Sequence, residues 1–176
     1  VFRFSLTASV LFFCACTGPD ITPVQYNDSL VIEQVRVVEA ADRLQEVFDT
    51  YVKEDMESVY GRFTVQIDRS IEKVKQIDAF KGDAAFKNST MDLLSTYKRL
   101  SENQYGDAME LLSKPDSLYS PSDEARLELL YKQIDRVTNQ AGNNYSKAQD
   151  DFAKANNLKL SPVTREQTDE TAAAPE

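Results

Sequence analysis

The 176-residue chain contains no histidine. That absence excludes the Glu-x-x-His pairs of a diiron carboxylate bundle, serine–histidine and cysteine–histidine nucleophile systems, and zinc sites of the usual ligand types. Cysteine is almost missing too. Its two copies, Cys14 and Cys16, lie near the start, so the body has no disulfide and no thiolate ligand set. The five glycines are scattered singly, with no glycine-rich phosphate loop and no dinucleotide fingerprint. No stretch fits the twelve-residue calcium loop. We therefore expect no metal, no cofactor, no catalytic residue and no enzymatic activity. An enzyme built from carboxylates and tyrosines alone is the one catalytic reading left.

Positive charge is scarce at the N-terminus, where Arg3 is the only charge before Asp20 and precedes an apolar run from Phe4 to Phe13. A spanning helix needs roughly twenty apolar residues, about twice this run. A short apolar core behind one positive charge, with small residues at its end, is the pattern of a secretory signal. A buried core helix is the alternative, but Gly18-Pro19 breaks the chain just beyond. Val1 in place of methionine points to an alternative start codon or a trimmed terminus, which leaves the charged region in front of the run open.

The residues Phe13-Cys14-Ala15-Cys16 resemble the bacterial lipobox, in which a small residue precedes an invariant cysteine. The resemblance implies that the Cys16 thiol is acylated by diacylglycerol and that cleavage leaves Cys16 as the new N-terminus. Ala15 is small in the required place, whereas Cys14 would have the bulky Phe13 there. Phe13 stands where leucine or valine is usual, and Cys14 where serine or alanine is usual. Thr17, rather than aspartate, follows the cysteine. By resemblance to the sorting rule of many two-membrane bacteria this favours the outer membrane, with the body facing either the periplasm or the outside.

The chain carries 29 acidic against 20 basic residues, a net charge of −9, and loss of residues 1–15 with Arg3 makes it −10. An acidic body is repelled by nucleic acid and by anionic headgroups, so neither is expected as a partner. Acyl chains need no basic patch, since each buried methylene contributes about 0.8 kcal/mol. The expected partners are the membrane, through the lipid anchor, and envelope or surface proteins. The sequence names no small-molecule ligand.

Beyond a signal at 1–15 and a tether at 16–21, apolar spacing predicts an all-α body at 22–158. It takes the form of an antiparallel, up-down-up-down four-helix bundle followed by a disordered acidic tail at 159–176. Thr22-Pro23-Val24-Gln25 reads as a capping box opening the first helix. Its seam is Leu30, Gln34, Val37, Ala41, Leu44, Phe48 and Tyr51, in alternating steps of four and three. Lys53-Glu54-Asp55 reads as a link to a second helix along Met56, Tyr60, Phe63, Ile67, Ser70, Val74 and Ile77. Gly82 suits a turn and Asp83 a cap for a third helix over about 84–112. That helix follows Phe86, Leu93, Tyr97, Leu100, Ala108 and Leu111, with Thr90 and Gln104 also on the seam and Gly106 at its weak point. Ser120-Pro121-Ser122-Asp123 starts a fourth helix along Leu127, Leu130, Ile134, Val137, Ala141, Tyr145, Ala148 and Phe152, ended by a left-handed cap at Asn156-Asn157.

Several groups invite a functional reading. Glu33, Glu39, Asp42, Glu46, Asp68 and Glu72 could form an acid–base pair or a cation site, but none falls on a seam, so we read them as a solvated face. Tyr51, Tyr60, Tyr97, Tyr105, Tyr131 and Tyr145 could line a cleft, although aromatics at helical spacing more often form core. Gln34, Ser70, Thr90 and Gln104 could form a buried polar layer that sets register. Residues 139–144 read as a permissive exposed face, or as a local break that makes a notch.

The chain also resembles a family of uncharacterised bacterial surface lipoproteins over roughly residues 24–160. The matching features are Tyr26-Asn27-Asp28, Phe80-Lys81-Gly82-Asp83 with Phe86, Lys114-Pro115, and Phe152-Ala153-Lys154 through Asn156. The resemblance implies a lipid-anchored helical envelope protein, with surface exposure, and carries over no catalytic residue. The resulting expectation is a lipoprotein anchored at Cys16 with a non-enzymatic binding or scaffolding role. The rival expectation is a carrier or sensor that encloses a small ligand in a pocket beside Gln104 and Tyr145.

Overall fold

The computed structural model describes residues 21–50 and 52–160. The signal, Cys16, most of the tether, Tyr51 and nearly all of the expected tail lie outside the described residues. Within them the chain is all-helical, with no strand, in four long helical stretches. Among the described residues no helix is long and apolar enough to cross a membrane.

Helix α1, Pro23–Phe48, begins as its first turn dictates. The Thr22 hydroxyl accepts the Gln25 amide at 3.2 Å, and the Gln25 side chain accepts the Thr22 amide at 3.0 Å. Two of the amides orphaned at a helix start are thereby satisfied. Helix α2, Lys53–Gln76, has no side-chain cap. Here the expectation is corrected: Lys53, Glu54 and Asp55 are its first turn and not a link. Two acidic residues at that position suit the positive end of the helix dipole. The carbonyls of Lys75 and Ile77 at the far end of α2 both accept from Lys87 Nζ. The turn that follows puts Lys81 and Gly82 at φ 49° and 84°, the region where glycine costs least, and Asp83 then accepts the Ala85 amide at 2.8 Å.

The third stretch is composite. Helix α3, Ala85–Leu100, runs into a five-residue π-helical segment, Ser101–Tyr105, and continues as α4, Gly106–Leu112. A π-segment inserts one extra residue into the ladder. It carries Tyr105, and not the expected Gln104, onto the buried side, while Gln104 stays half-buried. The link to the last stretch contains a single 3₁₀ turn, Asp116–Leu118. Lys114 reaches across it to Asp123 at 2.7 Å. Helix α5, Pro121–Ala155, opens with a second capping box, Ser120 with Asp123, and ends with Asn157 at φ 55°.

Helix α1 packs chiefly on α2, α3 lies against α2, and α5 packs chiefly on α3. One contiguous core runs through the seams read from the sequence and adds residues outside them, notably Tyr26, Val31 and Phe80. At one end four aromatic rings close the core. Tyr26 lies 5.3 Å from Phe80 and 5.1 Å from Phe152, centroid to centroid, and Phe86 lies 5.6 Å from Phe152. Such pairs add about 0.5–1.5 kcal/mol each beyond their burial.

Candidate functional site

The expected carboxylate face holds with one exception. Glu39, Asp42, Glu46, Asp68 and Glu72 are exposed or half-buried along α1 and α2. Glu33, expected on the solvated face, is instead only 3% exposed. Its Oε1 meets Arg36 Nη1 at 2.6 Å and Lys73 Nζ at 3.5 Å, and its Oε2 accepts the Ser70 hydroxyl at 2.8 Å. Gln66 in turn donates to Ser70 at 2.9 Å. This is a satisfied polar layer between α1 and α2. Ser70 belongs to it as the seam reading anticipated, and Glu33 is its unforeseen centre. Thr90, also fully buried, donates to the Phe86 carbonyl of its own helix. Among the described residues no three Asp, Glu, His or Cys side chains cluster so as to hold a metal ion.

The tyrosines divide. Tyr105 is core, packed 5.3 Å from Phe63 and 6.4 Å from Phe48. The half-buried Tyr60 donates its hydroxyl to the Ser101 carbonyl at 2.7 Å, at the start of the π-segment. Tyr131 is half-buried beside the core. Among the described tyrosines, Tyr97 and Tyr145 line an open groove of about 370 Å³.

The groove exists because α1 and α5 do not close on each other. From α1 it is walled by Val31, Gln34, Val35 and Val38, where the three valines form a second apolar stripe beside the seam. From α5 it is walled by Thr138, Gly142, Ser146 and Gln149, mostly small side chains where bulky ones would be needed to fill the gap. A Cβ placed on Gly142 would meet nothing within 4 Å. Leu93 and the two tyrosines supply the α3 and α5 floor, and Leu160 lies at the edge. At one end the gap is bridged, where Gln149 Nε2 donates to Asn27 Oδ1 at 3.0 Å.

Burial raises the Tyr97 phenol to about 12, with the Asp42 charge adding to it, and burial alone pushes Tyr145 up. Both remain protonated donors at neutral pH. The Tyr145 side chain is 5% exposed, and its hydroxyl is buried without a hydrogen-bond partner. An unpaired buried hydroxyl costs about 1–3 kcal/mol. The Tyr26 hydroxyl is likewise buried, but it lies in the aromatic end of the core, within reach of the Phe80 and Lys87 backbone.

Of the pair expected beside a pocket, Gln104 and Tyr145, Tyr145 lines the groove; no residue of the π-segment at 101–105, Gln104 included, does. Residues 139–144 make no break, since α5 runs unbroken through them, yet Gly142 forms part of the wall. The sequence reading missed the valine stripe, whose 4-then-3 spacing was legible but shadowed by the stronger seam one residue away. No protein-family model matches the chain, and neither does any curated protein or any solved structure.

Proposed function

We propose that the chain is a lipid-anchored cell-envelope protein, acylated at Cys16, whose helical body has a non-enzymatic binding or scaffolding role. The observation that carries this is the short apolar run behind Arg3 that ends in Ala15-Cys16. Five residues separate Cys16 from the capped start of α1 at Thr22. They reach about 20 Å at most, so an anchored bundle stands close to its bilayer. The body in this proposal is an up-down-up-down bundle. Supporting it, the first turn of α1 meets the last turns of α5 through Tyr26 and Phe152, and the far end of α1 meets the π-segment through Phe48 and Tyr105. Thr17 after the cysteine favours the outer membrane.

Intact mass of the membrane-extracted protein, with Cys16→Ser as control, tests the anchor. Cleavage before Cys16 with added acyl mass, lost in the control, is the expected result; an uncleaved or unacylated product sinks the proposal. Protease shaving of whole cells then assigns the face of the membrane. The groove favours a second reading, a carrier or sensor of a small ligand. Its volume lies at the low end of small-molecule sites. This reading does not depend on acylation, and a ligand-induced thermal shift tests it.

A further inference from the structure

Of the described residues that line the groove between α1 and α5, none carries a charge, in a chain that is 28% charged. The Val31, Val35 and Val38 stripe turns apolar surface toward an opening where an exposed helix face would ordinarily be polar. Uncharged amides and hydroxyls stand around it, from Gln34, Thr138 and Ser146. In the floor, the Tyr145 hydroxyl is a buried donor with no hydrogen-bond partner. We propose that the groove binds an uncharged, largely apolar small molecule bearing a hydrogen-bond acceptor, its body against the α1 valines and its acceptor toward the Tyr145 hydroxyl. The proposal deepens the carrier reading and rests on it.

A charged ligand would give up its hydration here and find no counter-charge, which selects against it. An apolar body loses nothing on leaving water and gains contact with the three valines. The hydroxyl is itself buried, so the floor side chains must shift for an acceptor to reach it. The bond then made replaces none within the protein. The small residues of α5 leave the space, and nothing lies within 4 Å of a Cβ built on Gly142.

The test uses benzophenone, an uncharged aromatic ketone that labels its surroundings on irradiation, and its anionic counterpart 4-benzoylbenzoate. Each is photolysed with the full chain, and adducts are mapped by peptide mass spectrometry. Saturable benzophenone adducts are expected on the peptides holding Val35 and Tyr145, at a concentration at least tenfold below that needed for the anion. Gly142→Leu, which fills the groove, should abolish them, and Ser146→Leu on the same wall is an independent block should the first variant not fold. Tyr145→Phe should weaken labelling about fivefold, the worth of one hydrogen bond. Groove adducts that saturate equally with both probes overturn the uncharged class while the carrier reading stands. Adducts indifferent to Tyr145→Phe overturn the part given to the hydroxyl. No saturable groove adduct with either probe overturns the proposal and the carrier reading together.

Discussion

Glu33 shows how far one side chain can depart from its sequence pattern. It sits three residues before Arg36 on a helix face rich in charge, and nothing local separates it from Glu39 or Glu46. Only the arrival of Ser70 and Lys73 from α2 buries it, and that is a long-range event. The capping residues Thr22 and Ser120, by contrast, act on amides three residues away, which made the Thr22 box legible and marked Ser120 as a helix start. Ser70 is fully buried and its hydroxyl satisfies a buried carboxylate oxygen. Ser70→Ala should therefore cost about 1–3 kcal/mol in urea denaturation. Lys73→Ala should cost under about 1 kcal/mol, because that contact is 3.5 Å long and the lysine is half-exposed. A second prediction concerns Asp123. Hydrogen bonds from Lys114 and Ser120 lower its carboxyl from 3.8 to about 2. A carboxyl held low in the folded state stabilises above its unfolded value and ceases to as pH falls through the folded one. The thermal midpoint of Asp123→Asn should lie below that of the parent at pH 7, and the difference should fade between about pH 4 and pH 2.

Helices are legible as far as their period is regular. The seams of α1, α2 and α5 follow the steps read from the sequence, and most of their large apolar members are buried, with Tyr60, Ile77 and Val137 half-buried. The third stretch departs from it at Ser101–Tyr105, where one extra residue rotates everything beyond. The sequence shows a sign of this in the polar Gln104 falling on the seam just before Gly106. A straight 3.6-residue period cannot convert that sign into a π-segment. If the insertion is a single-residue addition to an otherwise continuous helix, deleting the exposed Glu102 should be tolerated. The expected loss is about 1 kcal/mol, comparable to the Tyr60 hydrogen bond at that turn. Deleting the equally exposed Ser95 would instead turn Phe86 to Leu94 by about 100° against Tyr97 to Leu112, and cooperative unfolding should vanish. Far-UV circular dichroism through a urea series distinguishes the two.

Across the whole molecule, the four-helix all-α architecture was readable because four apolar seams need one another to be covered. The aromatic end was not. Phe80 lies in a turn and has no period to announce it, yet it is buried against Tyr26 and Phe152. The groove was hidden for a related reason, since it depends on which two helices fail to meet. Phe152 touches three other rings of that end. Phe152→Ala should therefore cost about 3–5 kcal/mol, measured as a fall in the urea midpoint, and more than any surface change on α5.

The joining of Tyr26 to Phe152 also has a mechanical meaning. The described chain enters and leaves the bundle at the same end. A load pulled between its two extremities acts across side-chain contacts, one turn after another, as a zipper is opened from its tab. No helix is stretched along its own hydrogen bonds. A body hung by its first residues and tugged by its last would thus yield at low force, with the aromatic rings parting before anything farther along the helices moves.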